Sequence, residues 1–229
     1  MPSRFSEGFA ESGGNGPDSV LPPYYRTPYS HDGMRIISGE FRGRRIRAPE
    51  GRGTRPMLDR VRESMMSTLG PWLAADDEGR GPRVLDLFAG SGSLGLEALS
   101  RGASRVRFVE RGEKAAVLLA SNINALDVAE RIELVRGDAL AAASWGGERW
   151  ADIVFFDPPY PLVRDPETRA RILSVLESLC RDVLASEGVL VFHTPRGLIG
   201  LDDLGPGLIA RERDMGSNAL LFVQREEDA

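Results

Sequence analysis

The chain has 229 residues, of which 41% are hydrophobic, and a formal net charge of −5; that is enough apolar material for a packed core and the wrong sign for a general nucleic-acid coat. One cysteine, Cys180, and two histidines leave no material for a disulfide framework or a Cys-based zinc cluster, so no metal is expected. The longest apolar run, residues 115–120, is far too short to span a membrane, and no charged-then-apolar signal pattern opens the chain, so a cytoplasmic protein is expected.

In chain order, residues 1–33 are rich in Gly, Pro and Ser without an apolar period and read as a disordered tail. Residues 34–63 carry nine Arg against four acidic residues, net +5, whereas residues 64–229 carry 18 basic against 26 acidic side chains, net −8. A basic segment is thus attached to an acidic body. It begins with β-like pieces broken by Gly39 and Gly43, which read as a hairpin with an Arg-loaded face. After Arg55-Pro56, Val61, Met65, Leu69 and Trp72 recur at helical spacing up to Gly70-Pro71 and predict an amphipathic helix. Strands and helices then alternate: strand 84–88, helix 93–100, strand 106–110, helix 113–126, strand 132–135, a short helix after Asp138, strand 153–156, helix 166–185 and strand 189–193. That order implies an α/β fold with a parallel sheet covered on both faces. Two strand-like runs, 208–213 and 219–224, close the chain as a hairpin. The organisation expected is a tail (1–33), a basic hairpin and helix (34–80), and an α/β domain (81–229).

The segment from Asp86 to Gly95 lies where a strand turns into a helix, and Gly90, Gly92 and Gly95 satisfy G-x-G-x-x-G. Such glycines let backbone amides approach a ligand closely. Glu110 follows Gly90 by 20 residues, the distance at which an acid grips a ribose hydroxyl. Spacing does not separate NAD from another adenosine cofactor. Asp86 leans toward the second, because an acid before the glycines would face the cationic end of S-adenosylmethionine (SAM) and repel a pyrophosphate.

Asp157-Pro158-Pro159-Tyr160 follows the apolar strand 153–156, at the carboxyl end where open α/β sheets bind ligands. The prolines rigidify the turn and remove N–H donors. The Asp157 carboxylate and Pro158 carbonyl are acceptors that suit a substrate amine, and Tyr160 offers a ring on which a base can stack. His31 and His193 are read as uninvolved, one in the tail and one at a strand end.

Taken in order, Asp86-x-Phe88-x-Gly90-Ser91-Gly92, Glu110, Asp138 and Asp157-Pro-Pro-Tyr160 resemble class I SAM-dependent methyltransferases that modify amino groups. With Met34-Arg-Ile-Ile-Ser-Gly39, Phe41-Arg-Gly-Arg-Arg45, Arg55-Pro56, Asp59-Arg-Val-Arg-Glu63 and the closing Gln224-Arg-Glu226, the resemblance narrows to the bacterial 16S rRNA (guanine-N2)-methyltransferase family and covers roughly residues 34–226. One departure is Met57, where the family usually has Thr after Arg-Pro. The resemblance implies a Rossmann-like, seven-stranded, mostly parallel sheet with an antiparallel last strand. It also implies SAM as cofactor, with Asp86, Phe88, Gly90, Ser91 and Gly92 forming the cofactor loop, Glu110 on the ribose and Asp138 with Ala139 on the adenine. Asp138 also reads as a helix N-cap, a compatible role. Asp157, Pro158, Pro159 and Tyr160 would hold the target guanine. The arginines of the basic segment, Arg35, Arg42, Arg44, Arg45, Arg47, Arg55, Arg60 and Arg62, would contact RNA phosphates. Expected partners are 16S rRNA or an assembling small subunit, met by a monomer. Three other readings stay open from sequence: adenine-N6 methylation, an NAD oxidoreductase, and a non-catalytic RNA-binding assembly factor.

Overall fold

The computed structural model describes residues 34–48 and 59–228. The tail, Arg55, Pro56 and Met57 lie outside the described residues. The basic segment opens with the expected hairpin, reduced to a single antiparallel bridge between Arg35 and Arg45 and backed by Ile36 N–H to Arg44 carbonyl (3.0 Å) and Ile46 N–H to Met34 carbonyl (2.8 Å). Helix α1 follows at Asp59–Thr68 and a short α2 at Gly70–Leu73. The single helix expected from the apolar period is divided here because Pro71 has no N–H to donate to the preceding turn. Leu69 and Leu73 nonetheless keep helical bonds to Met65 and Leu69.

The remainder is β1 (Arg83–Leu87), α3 (Ser93–Ser100), β2 (Arg105–Val109), α4 (Glu113–Leu126), β3 (Ile132–Val135), β4 (Ala151–Phe156), α5 (Tyr160–Arg164), α6 (Pro166–Asp182), β5 (Leu184–Pro195), β6 (Leu208–Asp214) and β7 (Asn218–Arg225). The expected helix after Asp138 is one 3₁₀ turn, Ala142–Ser144. Helix α6 stops three residues earlier than its apolar period suggests, because Leu184 already pairs with Ala151 as β5 enters the sheet. Helix α5, with Pro161 in its first turn, is absent from the sequence reading.

The sheet order is β3-β2-β1-β4-β5-β7-β6. All pairs from β3 to β5 are parallel, and β7 lies antiparallel between β5 and β6. The expected seven-stranded sheet with an antiparallel last strand is therefore present. Inserting β7 between β5 and β6 also separates this topology from the dinucleotide-binding order, in which the sixth strand follows the fifth. One apolar layer is built of Val84, Val106, Phe108, Ile153, Phe155 and Val191, and the other of Leu85, Leu87, Val154, Phe156, Leu190 and Phe192. Successive residues of β1, β4 and β5 thus serve opposite faces, as strands buried on both sides must.

The basic segment shares this core. Ile36, Ile46, Val61, Met65, Met66 and Leu69 are buried in the same apolar layer as Val106 and Phe108, so the hairpin and α1 have no core of their own. Buried polar bonds fix them further. The Glu97 carboxylate in α3 is fully buried and accepts the Ile37 N–H at 2.7 Å and the Ser38 N–H at 3.1 Å. It also pairs with Arg101 at 2.8 Å and lies 3.9 Å from the Arg62 guanidinium. Removing one member of a buried charge set leaves the others uncompensated. Glu97→Ala, which strips Arg62 of one counter-charge and orphans two peptide N–H groups, is expected to cost about 3–5 kcal/mol in urea-induced unfolding; a loss under about 1 kcal/mol would show that this carboxylate does not hold the segment.

Candidate active site

Parallel register sets the site. Leu87 pairs with Val109 and with Phe156, Val109 pairs with Val135, and Phe156 pairs with Phe192. The residues just past this line are Phe88, Glu110, Asp157 and His193, with Asp138 three residues past Val135. The separate motifs of the sequence are thus brought to one edge of the sheet, at the carboxyl ends of neighbouring strands.

The glycine loop leaves β1 through strained backbone: Phe88 has φ +60°, costly for a non-glycine residue. Its ring stacks on Phe156, with centroids 6.0 Å apart and an interplanar angle of 26°. The glycines have different tasks. At Gly90, with φ +55°, a Cβ would meet nothing nearer than the Phe88 carbonyl at 3.9 Å, so its face is open to a ligand. At Gly92 and Gly95 a Cβ would lie 2.3 Å from Leu119 and 2.4 Å from Phe108, so these two let α3 pack closely on α4 and β2. Ser91 is buried, and its carbonyl accepts Asn122 Nδ2 at 2.9 Å. The same Asn122 amide donates to the Arg47 carbonyl at 3.0 Å and accepts the Arg47 N–H at 2.8 Å, which ties the basic segment to the loop.

Three carboxylates surround the loop. Glu110 accepts Gly90 N–H at 2.9 Å and Gly112 N–H at 2.6 Å. Asp86 is 2% exposed and accepts Gly95 N–H at 2.9 Å. Burial pushes its carboxyl well above the usual carboxylate range, and the negative charges of Asp157 and Glu110 push it further. Among the described residues Asp86, Glu110 and Asp157 are not paired with Lys or Arg. Beyond β3, Asp138 is not the expected helix N-cap, because the 3₁₀ turn that follows is capped at Ala141 without a side-chain bond; its Oδ1 accepts Leu140 N–H at 3.0 Å two residues on, its Oδ2 lies 3.4 Å from the Arg171 guanidinium, and Ala139 is buried beside it.

Asp157 leaves β4 half-buried, followed by buried Pro158 and exposed Pro159. Pro159 supplies the carbonyl that accepts Leu162 N–H at 2.9 Å in the first turn of α5, so Tyr160 stands at the start of a helix. Asp157 and Tyr160 both bond to His193, a residue given no part in the sequence reading. The signal that would have found it is register: Phe192 lies opposite Phe156, so the next residues on the two strands are neighbours.

The arginines divide. Arg35, Arg42, Arg44, Arg45 and Arg47 on the hairpin and Arg60 on α1 are exposed. Arg44 donates to the Ala125 carbonyl at the end of α4, and Arg47 reaches Ser121 at 3.5 Å. Arg62 corrects the expectation. It is fully buried, donates to the Arg35 carbonyl at 2.7 Å and to Asp59 at 2.9 Å, and burial lowers its ordinarily high pKa. It braces the hairpin and offers no surface charge. Arg55 lies outside the described residues.

Among the described residues no group of His, Cys, Asp and Glu could hold a metal ion, and no helix is long and apolar enough to cross a membrane. Cys180 is a core residue whose thiol burial pushes up to about 12.

A mostly parallel sheet with β7 inserted antiparallel, an open glycine loop beside an acidic strand end, and an acceptor-rich turn next to it define a Rossmann-like methyltransferase. The chain belongs to the family described as conserved hypothetical protein 95, whose model matches residues 34–224. It is 35% identical over 194 residues to YlbH of Bacillus subtilis, provisionally named an rRNA methyltransferase, covering 84% of this chain and 99% of that one. It is 38% identical over 127 residues to ribosomal RNA small subunit methyltransferase D of Escherichia coli K12, covering 56% of this chain and 60% of that one. The solved structure of YhhF from Escherichia coli, provisionally named a methyltransferase, superposes with a TM-score of 0.68 at 31% identity and covers 84% of this chain and 98% of that one.

The pKa of Asp86 makes a stability prediction. A carboxyl whose folded-state pKa is raised favours the fold fully below its unfolded value, near 3.8, and loses that contribution as pH rises through the folded value. Asp86→Asn keeps an acceptor for Gly95 N–H and cannot ionise. The variant is expected to gain on the wild type in urea-unfolding free energy as pH is raised from about 4 toward neutrality; a pH-independent difference would contradict the raised pKa.

Proposed function

We propose that the protein transfers a methyl group from SAM to the exocyclic N2 amine of a guanine in 16S rRNA, free or in an assembling small subunit, and that it acts as a monomer. The observation that carries this reading is the Asp157–Tyr160 turn, which leaves β4 beside the glycine loop because Phe156 pairs with Leu87, so that its single carboxylate and the loop share one edge of the sheet. The names of the relatives support rRNA as substrate, and the choice of the guanine amine rests on the resemblance of the turn and the basic segment.

The residues at the loop fit SAM. The carboxyls of Asp86, Glu110 and Asp157, with no Lys or Arg paired to them among the described residues, suit a cationic ligand and disfavour a pyrophosphate. The open face of Gly90 leaves room for close approach. Glu110 would hold the ribose hydroxyls, Asp138 and Ala139 the adenine, and Asp86, Phe88, Ser91 and Gly92 the loop itself. When bound, SAM supplies a methyl group on a sulfonium, an electrophile.

The task left to the protein is orientation. The guanine N2 lone pair is partly delocalised into the ring and must point along the sulfur–methyl bond. Hydrogen bonds from the amine to the Asp157 carboxylate and the Pro158 carbonyl favour a more tetrahedral nitrogen and aim its lone pair, an effect of proximity and alignment. Asp157 also stands where it can take the proton lost by the methylated amine. A paired base hides this amine, so the guanine enters unpaired or flipped, with Tyr160 replacing lost stacking. Arg35, Arg42, Arg44, Arg45, Arg47 and Arg60 hold the RNA backbone by phosphate contacts, which give affinity and position without sequence choice.

Transfer from labelled SAM to small-subunit rRNA and partly assembled subunits, followed by nucleoside analysis, is expected to yield N2-methylguanosine. Labelled N6-methyladenosine would overturn the base assignment. Asp157→Ala is expected to lower transfer by at least about 100-fold while SAM binding is retained, and loss of SAM binding would move Asp157 from substrate to cofactor.

For the basic segment, replacing Arg42, Arg44 and Arg45 together with Ala should weaken RNA binding and reduce the slope of log K against log salt by about 2. An unchanged slope would remove these residues from the RNA interface.

A further inference from the structure

Asp157 and Tyr160 reach the site from different elements, the end of β4 and the start of α5, and one side chain joins them. The imidazole of His193 places Nδ1 2.8 Å from Asp157 Oδ1 and Nε2 3.3 Å from the Tyr160 hydroxyl. The ring is 6% exposed and meets the Tyr160 ring edge-on, with centroids 5.7 Å apart at 67°. Its backbone lies in β5, hydrogen-bonded on one side to β4 and on the other to β7, where His193 is opposite Leu220. Both ring nitrogens are directed at the two residues of the turn whose side chains carry polar atoms, Asp157 and Tyr160.

The polarity of the two contacts follows from the partners. A carboxylate only accepts, so the ring proton belongs on Nδ1, and a neutral ring then has a lone pair at Nε2 that the Tyr160 O–H can fill. Asp157 Oδ2 forms no hydrogen bond among the described residues. Holding Oδ1 therefore decides where Oδ2 points.

We propose that His193 is a positioning residue for methyl transfer: its Nδ1–H fixes the Asp157 carboxylate so that Oδ2 faces the substrate amine, while Nε2 takes the Tyr160 O–H and sets the ring against which the base stacks. The proposal rests on the roles given above to Asp157 and Tyr160. It adds a residue drawn from the next strand of the sheet, which is paired on both sides. A misdirected carboxylate binds RNA and SAM as before but aims the amine badly, so the defect falls on kcat rather than on binding.

Three substitutions separate the two bonds. His193→Leu removes both, His193→Asn keeps an amide N–H near the position of Nδ1, and His193→Gln reaches the position of Nε2. The Leu variant is expected to lose about 30- to 100-fold in kcat, with KM for rRNA and Kd for SAM changed less than about threefold. The Asn variant should return to within about fivefold of the wild type, and the Gln variant should stay near Leu. Wild-type kcat in the Leu variant, or equal losses in all three, would overturn the proposal.

A second readout needs neither turnover nor a stable variant. ¹H–¹⁵N correlation of the imidazoles in the wild-type protein, read on the neutral form of the ring, should show His193 as the Nδ1–H tautomer; the Nε2–H tautomer would overturn the proposal. Asp157→Asn, assayed in parallel, separates the two readings. Full transfer in Asp157→Asn would remove the role of the turn itself, whereas loss of transfer there with a silent His193→Leu would remove only the role of His193.

Discussion

Parallel pairing puts Val135, Val109, Leu87, Phe156 and Phe192 on one line across the sheet, and the residues assigned to chemistry stand just beyond it. That line is held by side chains buried on both faces. A slip of one residue in β4 would exchange Phe155 and Phe156 between the two layers and carry Asp157 away from the end of β1. Register is therefore the constraint on which the site depends: Glu110, the glycine loop and Asp157 are far apart in the chain and become neighbours because their strands end together. Phe88 shows the strain this arrangement holds, since a bulky residue at positive φ persists only where its surroundings fix it.

Charge is sorted by the same frame. Asp86, Glu110 and Asp157 gather around the loop with only peptide N–H groups and an imidazole for partners, whereas the arginines of the hairpin face solvent. The two regions meet at Asn122, whose side chain bonds both the Arg47 backbone and the Ser91 carbonyl. Its burial makes these bonds costly to break, because each orphaned peptide group would be left without water. The basic surface proposed to meet RNA and the acidic pocket proposed to hold a cationic cofactor can coexist side by side because they belong to one core.

The fold was legible because its strands are short apolar runs bounded by Gly, Asp and Pro, and because the glycine loop and the Asp-Pro-Pro-Tyr turn sit where strands end. Helices 93–100 and 113–126 and strand 132–135 have the bounds that their periodicity predicts. Where the reading failed, a non-local contact decided. Pairing of Leu184 with Ala151 ends α6, and that partner is more than 30 residues away. Arg62 shares a basic run with Arg60, and composition cannot separate them; a helical step of two residues puts one on the solvent face and the other inside, against Glu97. Asn122 carries no local signal, since its partners lie on the hairpin and on the loop.

Arg62 and His193 argue the same point from opposite sides. Arginine is ordinarily a surface residue, and a guanidinium enters a core only when carboxylates and carbonyls are already placed to receive it; Glu97, Asp59 and the Arg35 carbonyl do so here. Histidine at the end of a buried strand reads as ordinary until the neighbouring strand is laid beside it and both ring nitrogens find the residues of the turn. In each case the side chain's task is set by what the fold brings within hydrogen-bond reach. The basic segment is braced through Arg62 and the Asp157–Tyr160 turn through His193, so that sheet and helix elements hold both the surface proposed to meet RNA and the turn proposed to hold the target amine.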